Sequence, residues 1–284
     1  MRLFVSRINR LQQKFGIAHR KLVFIEGGLG SQILNTIYFW TLQEKIGTTM
    51  AKCDLSYFRD KKSNSLWPWE LTKFNITLND LEKYETKNKL NLLIPKKDWI
   101  DQDLININYW QTARNSYIDR FSFDQGKVRN YFENLIDTPL PINFGAIHVR
   151  RGDYLNVASK IVTSDEYFDF LEKISHVFPE TIFCVSDSLF TLEEKNQILG
   201  IMTPKRKIIF LDEPKYDSFN IHCLLRLADV LVTSNSTYSF SAGLLGKRDQ
   251  KVFAPLNFHA GQDVEKYNNM FRSVADFVVW RSFN

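Results

Sequence analysis

The stretch "AIHVRRGDYL", residues 146–155, joins an apolar run to a dense group of charged and polar side chains. His148, Arg150, Arg151 and Asp153 follow one another within six positions. Burying charges without partners is costly, so a protein core rarely holds such a group. Because the preceding run is typical of a buried strand, we expect these side chains to lie where that strand ends, facing a crevice.

Strand and helix patterns alternate around this stretch. Apolar runs typical of buried strands occur at 144–149, 181–186, 207–211, 228–234 and 250–256. Helical patterns separate them at 164–178, 188–199, 217–228 and 238–246. A repeated strand–helix unit predicts an α/β fold, with an open parallel sheet and helices on both of its faces.

The first half of the chain begins in the same way and then becomes irregular. A strand at 21–25 leads through "EGGLG" into an amphipathic helix at 31–46, and a second strand follows at 48–53. Residues 56–140 carry weaker patterns rich in asparagine, lysine and aromatic residues. We therefore expect a first α/β domain at 1–140 with an irregular insertion, and a second at 141–284. The apolar tail "VADFVVWRSFN" is predicted to pack back as a helix.

The composition is that of a soluble globular protein. Hydrophobic residues make up 44% and charged residues 24% of the 284 residues. Because no apolar run reaches about 18 residues, we expect no membrane-spanning helix, and we expect no secretory signal because the first residues lack a continuous apolar core. The three cysteines are scattered and lie mostly among apolar neighbours, which favours reduced thiols and a cytoplasmic location.

A basic amphipathic segment occupies residues 1–20. Six of the 37 basic residues precede the first acidic residue, and apolar residues recur among them at helical spacing. Such a segment can lie on an anionic membrane, which would make the protein peripheral on the inner face of that membrane, or it can pack on the body of the protein. The remaining charge is balanced, and no nucleic-acid recognition motif occurs, so a nucleic-acid partner is not expected.

The glycine-rich segment "EGGLGSQ" is a first candidate anion site. Glycines between a strand and a helix allow a ligand to approach the backbone and the helix N-terminus. The segment matches the dinucleotide fingerprint in part, with Asp54 as a ribose contact, but Ile33 stands where a third glycine is required. Glu26 would repel a pyrophosphate. A tight turn without a ligand is the alternative.

The motif "HVRRGDY" is more specific. Adjacent residues of a strand end point to opposite sides, so one of Arg150 and Arg151 is expected to face the crevice at the carboxyl edge of the sheet. The forked guanidinium matches phosphate oxygens. The other arginine is expected to form a structural pair with Asp153.

A second candidate anion site is "VTSNSTYSFSAGLLG", residues 232–246. Ser234, Asn235, Ser236 and Thr237 follow a strand and can begin a helix, where hydroxyls and free N–H groups suit a phosphate. Plain helix capping is the simpler interpretation. Asp187, in "CVSDS", ends another strand and is placed to bind a ribose or a base.

Several of these motifs resemble those of one enzyme family. They are "GGLGSQ", "YWQTARNSY" (109–117), "HVRRGDY", "VSDS", "TSNSTYSFSAGLL" and "VFAPLNF" (252–258). Their order is similar to that of the family 11 glycosyltransferases, the α-1,2-fucosyltransferases. The arginine motif also resembles that of α-1,6- and protein O-fucosyltransferases.

The resemblance implies a GT-B fold with two Rossmann-like domains facing across a cleft. It also implies an inverting, metal-independent transfer of L-fucose from GDP-fucose to a galactoside hydroxyl in α-1,2 linkage, for surface glycan synthesis. No cofactor is implied. The expected partners are the GDP-sugar donor and a galactose-containing glycan acceptor.

The same resemblance implies roles for individual residues. Arg150, with His148 and Asp153, would form the catalytic group, and Asp153, Glu26 and His148 are candidate bases. The donor-binding residues would be Arg150, Arg151, Asp187, Asn235, Ser236, Thr237, Gly28 and Gly30. The acceptor side would be Glu26, Trp110 and Gln111.

No metal site is expected, although "DQD" at Asp101–Asp103 has the form of a metal-binding pair. Three other functions are open. A GDP-deoxysugar such as GDP-colitose could replace GDP-fucose as donor. An NAD-dependent oxidoreductase would use the glycine segment and leave "HVRRGDY" unexplained. A non-catalytic nucleotide-binding module would bind GDP without releasing sugar.

Overall fold

The computed structural model describes residues 21–48, 51–59, 67–85, 115–150, 164–202, 206–213, 216–255 and 277–280. These residues form two compact units. The first comprises the described residues up to 85 together with Asn115–Ser122, and the second comprises those from Phe123 onward. The basic segment 1–20 lies outside the described residues.

A β-α-β arrangement organises the first unit. Strand β1 (Lys21–Phe24) pairs in parallel with β2 (Ala51–Asp54), and helix α1 (Leu29–Ile46) connects them. Residues 32–40 of α1 are all buried, as expected of a helix that is apolar on most sides. Shorter elements complete the unit: α2 (Ser56–Arg59), α3 (Leu78–Glu82) and the 3₁₀ turns Leu71–Phe74 and Ile118–Phe121.

The second unit is built on a six-stranded parallel sheet. Its strands are β3 (Gly145–Val149), β4 (Thr181–Ser186), β5 (Lys207–Leu211), β6 (Val230–Val232), β7 (Lys251–Pro255) and β8 (Phe277–Trp280). Its helices are α4 (Gln125–Ile136), α5 (Ser164–Ile174), α6 (Leu192–Met202), α7 (Ser218–Leu227) and α8 (Thr237–Leu244).

The sheet order is β5-β4-β3-β6-β7-β8, which is the strand order of the Rossmann fold. Alternate residues of the strands face opposite sides and both sets are buried. Ile147 packs in a core with residues of α5 and α6, whereas Ala146 and Phe183 face the other side and are fully buried. The predicted α/β class with parallel sheets is therefore confirmed.

Two expectations about the ends of the second unit were wrong. The C-terminal tail contributes the strand β8, which pairs with β7, and not a helix. Pairing covers the exposed edge of β7, and β-branched and aromatic residues favour a strand at that position. Helix α4, placed in the first domain by the expected boundary at 140, belongs to the second unit. Its neighbour there is α7.

Cys53, Cys184 and Cys223 are all buried. Among the residues that the structure describes, none of the helices combines the length and the apolar character needed to span a bilayer.

Candidate functional site

The carboxyl ends of β3 and β6 lie side by side at the centre of the second sheet. From β3 the chain continues to β4 on one side, and from β6 it continues to β7 on the other. In open α/β sheets a ligand crevice forms where the strand order reverses in this way. The topology therefore places the ends of these two strands at the expected ligand site, and both carry polar motifs from the sequence.

His148 forms the floor of this site. Its side chain is 3% exposed, and its Nδ1 shares a hydrogen bond of 2.8 Å with the hydroxyl of Ser234, which follows β6. The hydroxyl of Tyr167, on α5, donates to the backbone carbonyl of His148 at 3.1 Å. These contacts lock the strand end and the imidazole in one position.

The environment of His148 keeps its imidazole neutral. Burial, followed by the nearby charge of Arg150, lowers its pKa from 6.5 to about 3. Burial disfavours the charged form because the interior solvates it poorly. An efficient general base has a pKa near the working pH, so an imidazole with a pKa of about 3 is too weak a base for that role and is better suited to that of a neutral hydrogen-bond partner.

Arg150 lies directly after β3 and forms an ion pair with Asp187, which directly follows β4. The Nη1 and Oδ2 atoms are 3.2 Å apart. The side chains are 17% and 24% exposed, so the pair sits at the edge of the sheet and not in the core. Two residues predicted to bind the donor are thus brought together. The predicted structural pair between the other arginine and Asp153 lies outside the described residues.

The start of α8 supplies the second part of the site. Ser236 is the N-cap residue, and its hydroxyl accepts a hydrogen bond of 3.3 Å from the Tyr238 backbone N–H. Asn235 and Ser236 are 3% and 4% exposed. The capping interpretation is therefore correct for Ser236. The other N–H groups of the first turn and the positive end of the helix dipole still favour an anion at this position.

Two further residues complete the site and were missed by the sequence analysis. The Tyr238 ring lies between two imidazoles, with centroids 5.5 Å from His148 and 5.3 Å from His222. His222 is fully buried on α7, and its Nε2 shares a hydrogen bond of 3.0 Å with the Ser241 hydroxyl. Burial, followed by the charge of Arg226, lowers the pKa of His222 well below 6.5. The sequence offered one indication of this role for His222, which is its position among apolar residues in a predicted helix.

The glycine turn of the first unit is organised by a glutamine. The Gln32 amide donates to the carbonyls of Gly27 at 2.9 Å and Pro68 at 2.8 Å, and its oxygen accepts from the Glu70 N–H at 2.9 Å. Gly27 has a φ of 84°, which requires glycine. Gln32 was quoted in the motif, but its role was not predicted.

Trp67 lies against this turn. A Cβ on Gly28 would lie 3.4 Å from the indole ring, so the tryptophan packs closely against the backbone of the turn. Glu26 precedes the turn. The pKa of Tyr57 is raised by the burial of its hydroxyl and, to a smaller extent, by the negative charge of Glu26. Asp54 at the end of β2 accepts a hydrogen bond of 2.8 Å from the Ser56 N–H, which is a structural role.

Several predicted site residues lie outside the described part of the chain. They are Arg151, Asp153, Trp110 and Gln111. Asp101 and Asp103, which are not expected to bind a metal, also lie outside it. Among the described residues, no group of three or more histidine, cysteine, aspartate or glutamate side chains could hold a metal ion. The described site thus contains an arginine, hydroxyls and a helix N-terminus at one sheet edge, an arrangement suited to a diphosphate.

No protein-family model matches this chain, and no curated protein matches it by sequence. Among solved structures, POFUT1 in complex with GDP is similar with a TM-score of 0.46 and 13% identity, over 94% of this chain and 99% of POFUT1. POFUT1 in complex with GDP-fucose is similar with a TM-score of 0.40 and 13% identity, over 87% and 96%.

A family 9 glycosyltransferase of Veillonella parvula is similar with a TM-score of 0.44 and 11% identity, over 94% of this chain and 88% of that one. The heptosyltransferase WaaC of E. coli with ADP is similar with a TM-score of 0.38 and 12% identity, over 92% of this chain and 93% of WaaC. Similarity at this level concerns the course of the chain. The function has to be inferred from the side chains of the site.

Proposed function

We propose that this protein is an inverting glycosyltransferase that moves L-fucose from GDP-fucose to a galactoside hydroxyl, in α-1,2 linkage, during surface glycan synthesis. The observation that carries the proposal is the placement of Arg150, His148 and the N-terminus of α8 at the point where the strand order of the second sheet reverses. The motifs that supply these residues are also those that resemble the family 11 enzymes.

The donor's diphosphate is the ligand that this edge suits best. Arg150 presents a forked cation, and the first turn of α8 presents backbone N–H groups and the positive end of its dipole. Ser236, Thr237 and Asn235 shape this cradle, and Asp187 orients the guanidinium of Arg150 through their 3.2 Å ion pair. We assign Arg151, Gly28 and Gly30 supporting roles in donor binding.

The chemistry follows from the charge that develops during transfer. The bond between the sugar carbon and the diphosphate oxygen breaks, and its electron pair stays on that oxygen, while the acceptor hydroxyl bonds to the same carbon from the opposite face. This path inverts the configuration. A fixed guanidinium at the leaving oxygen stabilises the transition state more than the bound donor.

The acceptor hydroxyl must lose a proton during this step. The low pKa of about 3 argues against His148 as the base and leaves Asp153 and Glu26 as the candidates. Glu26, Trp110 and Gln111 are assigned to the acceptor side. His148 then acts through the Ser234 hydroxyl, by holding the two strand ends together.

The glycine segment of the first unit argues against the alternative of an NAD-dependent oxidoreductase. Ile33 stands where the dinucleotide fingerprint requires a third glycine, and Asp54 uses a carboxylate oxygen for the Ser56 N–H. In an oxidoreductase of this kind, Arg150 and the N-terminus of α8 would also have no function. A different GDP-deoxysugar, such as GDP-colitose, would be held by the same diphosphate contacts.

The decisive experiment incubates the purified protein with GDP-fucose and a panel of galactosides. We expect GDP release that depends on the acceptor, with a product carrying fucose on the galactose 2-hydroxyl. GDP-mannose and UDP-galactose serve as donor controls. GDP binding without any transfer across the panel would support the non-catalytic nucleotide-binding module. Turnover of NADH with no GDP release would overturn the assignment.

A further inference from the structure

The first unit contains a cavity of about 520 Å³ that the proposed reaction does not use. Gln43 and Glu44, in the last turns of α1, form part of its wall. Because a helix rises 1.5 Å per residue, Gln43 lies about 21 Å along α1 from Leu29, beside the glycine turn. The volume falls within the range of about 300–1,000 Å³ that small-molecule sites occupy.

An aromatic wall with a stacked arginine lines one part of the cavity. The guanidinium of Arg120 lies 4.7 Å from the ring centroid of Trp40 and 5.6 Å from that of Tyr117. The two rings are themselves 5.3 Å apart. Cation–π contact with both rings keeps the guanidinium at this wall, where its forked donors can meet a ligand that offers neighbouring oxygens.

Amides and carboxylates line the other part. The Nε2 atom of Gln43 is buried, and within the described part of the chain it has no hydrogen-bond partner. A buried donor without an acceptor is costly, so a bound acceptor at this position is favoured. Asn75, Glu44 and Asp80 add further donors and acceptors to the wall.

The charged side chains of the wall balance one another, so the cavity does not favour a charged ligand. Glu44 and Asp80 contribute two negative charges, and Lys83 and Arg120 contribute two positive charges. Carboxylates in the wall would repel a phosphate, and an apolar ligand would leave the polar groups without partners. A ligand with several hydroxyl groups satisfies both donors and acceptors, and the apolar C–H face of a sugar ring suits the aromatic wall.

We propose that this cavity is a binding site for a neutral saccharide, separate from the glycine turn at the other end of α1. Glycan chains present more sugar residues than the one that reacts, and a second site of this chemistry would hold a neighbouring part of such a chain. The site requires neither GDP nor any feature of the second unit, so it stands whether or not the donor assignment is correct.

The test measures binding of lactose and of methyl β-D-galactopyranoside to the full chain, by saturation-transfer NMR and calorimetric titration without GDP. Two variants probe the cavity. Gln43→Leu removes the buried donor at nearly constant shape, and Asn75→Gly removes an amide at a residue whose φ of 60° glycine adopts freely. We expect each to weaken saccharide binding about fivefold, the equivalent of one hydrogen bond, without lowering thermal stability.

The matched control is Asp137→Gly, since Asp137 has a φ of 52° and lies at the end of α4. It should leave the affinity unchanged, as should added GDP. Binding that neither cavity variant alters, displacement of the saccharide by GDP, or no saccharide binding at all would overturn the proposal.

Discussion

Arg150 illustrates how a residue can be held by the fold and still serve a ligand. Its ion pair with Asp187 orients the guanidinium, and both side chains are partly exposed at the sheet edge. A lysine at this position would keep the charge and lose the fork. The geometry of the donor group, in addition to its charge, is therefore what the site depends on.

We predict that Arg150→Lys lowers kcat by a factor of about 10²–10³, the usual loss when one oxyanion-stabilising donor is removed. The melting temperature should change little, because lysine keeps the positive charge that pairs with Asp187. Steady-state kinetics with GDP-fucose, together with a thermal melt, checks both parts.

The control for this variant is Arg129→Lys. Arg129 donates to the backbone carbonyls of Leu140 at 3.1 Å and Pro141 at 3.3 Å, away from the sheet edge. It should retain wild-type turnover. If Arg150→Lys keeps most of the activity, the assignment of Arg150 to the phosphate is wrong.

His148 predicts a pH dependence of stability. In the unfolded chain its pKa is near 6.5, and in the folded protein it is about 3. Between these values the unfolded state binds more protons, so the free energy of unfolding falls as the pH is lowered from about 6.5 towards 3. The slope is about 1.4 kcal/mol per pH unit for each such histidine. His222 acts in the same direction, because its pKa is lowered too.

Urea unfolding of His148→Gln at several pH values between 7 and 4 measures this effect. The variant should lose stability on acidification less steeply than the wild type, by up to about 1.4 kcal/mol per pH unit. His176→Gln is the matched control, since His176 is exposed, and it should keep the wild-type slope. Equal slopes for all three proteins would contradict the neutral, buried state of His148.

At the scale of the element, β3 depends on a glycine at its start. A Cβ on Gly145 would come within 2.5 Å of the Phe178 ring, which packs directly against the strand. The ring belongs to the core beneath β3, and moving it would displace the strand that carries His148 and Arg150. Close packing of this strand therefore connects core and site.

We predict that Gly145→Ala destabilises the protein by about 1–3 kcal/mol, the usual cost of overpacking a core. The comparison is Gly200→Ala, in α6, where a Cβ would meet nothing within 4 Å. That change should instead stabilise the protein by about 0.5–1 kcal/mol, because alanine is the better helix former. Urea unfolding curves of both variants give the values, and a neutral Gly145→Ala would show that β3 tolerates the shift.

Helix α8 is predicted to act both as a structural element and as a ligand cradle. Ser236→Ala removes its N-cap and should cost about 1 kcal/mol of stability and weaken GDP binding. Asp124→Ala removes the cap of α4, where the side chain accepts from the Lys127 N–H at 3.1 Å, and should cost a similar amount without affecting GDP. Calorimetric titration with GDP separates the two. Equal GDP affinities of Ser236→Ala and the wild type would show that Ser236 caps the helix without contributing to GDP binding.

At the scale of the whole molecule, the proposed reaction needs positive charge at the diphosphate, and two sources are available. A divalent ion on acidic residues could supply it, or Arg150 and the dipole of α8 could. Arg150 and the N-terminus of α8 both lie at the sheet edge of the second unit. A metal ion would supply the same positive charge a second time.

Full activity in excess EDTA is therefore expected, and Asp101→Ala and Asp103→Ala should each retain nearly wild-type turnover. GDP release from GDP-fucose, measured with and without EDTA, is the readout. Loss of activity in EDTA with recovery on addition of manganese would contradict the proposal of metal-independent transfer.

The sequence by itself determined the elements and the motifs at their ends. Five apolar runs predicted β3 to β7 close to their observed bounds, since a run buried on both faces needs apolar side chains throughout. The polar residues that interrupt these runs marked the carboxyl edge of the sheet. These signals are local, and each is contained in a few neighbouring residues.

Only the tertiary structure decided which of these parts meet. The tail became β8 because β7 offered an unpaired edge, and α4 joined the second unit through its neighbour α7. The pairing of Arg150 with Asp187 and the place of Tyr238 between two histidines depend on residues far apart in the chain. Such contacts form when elements pack, and a local pattern carries no record of the partner across the sheet.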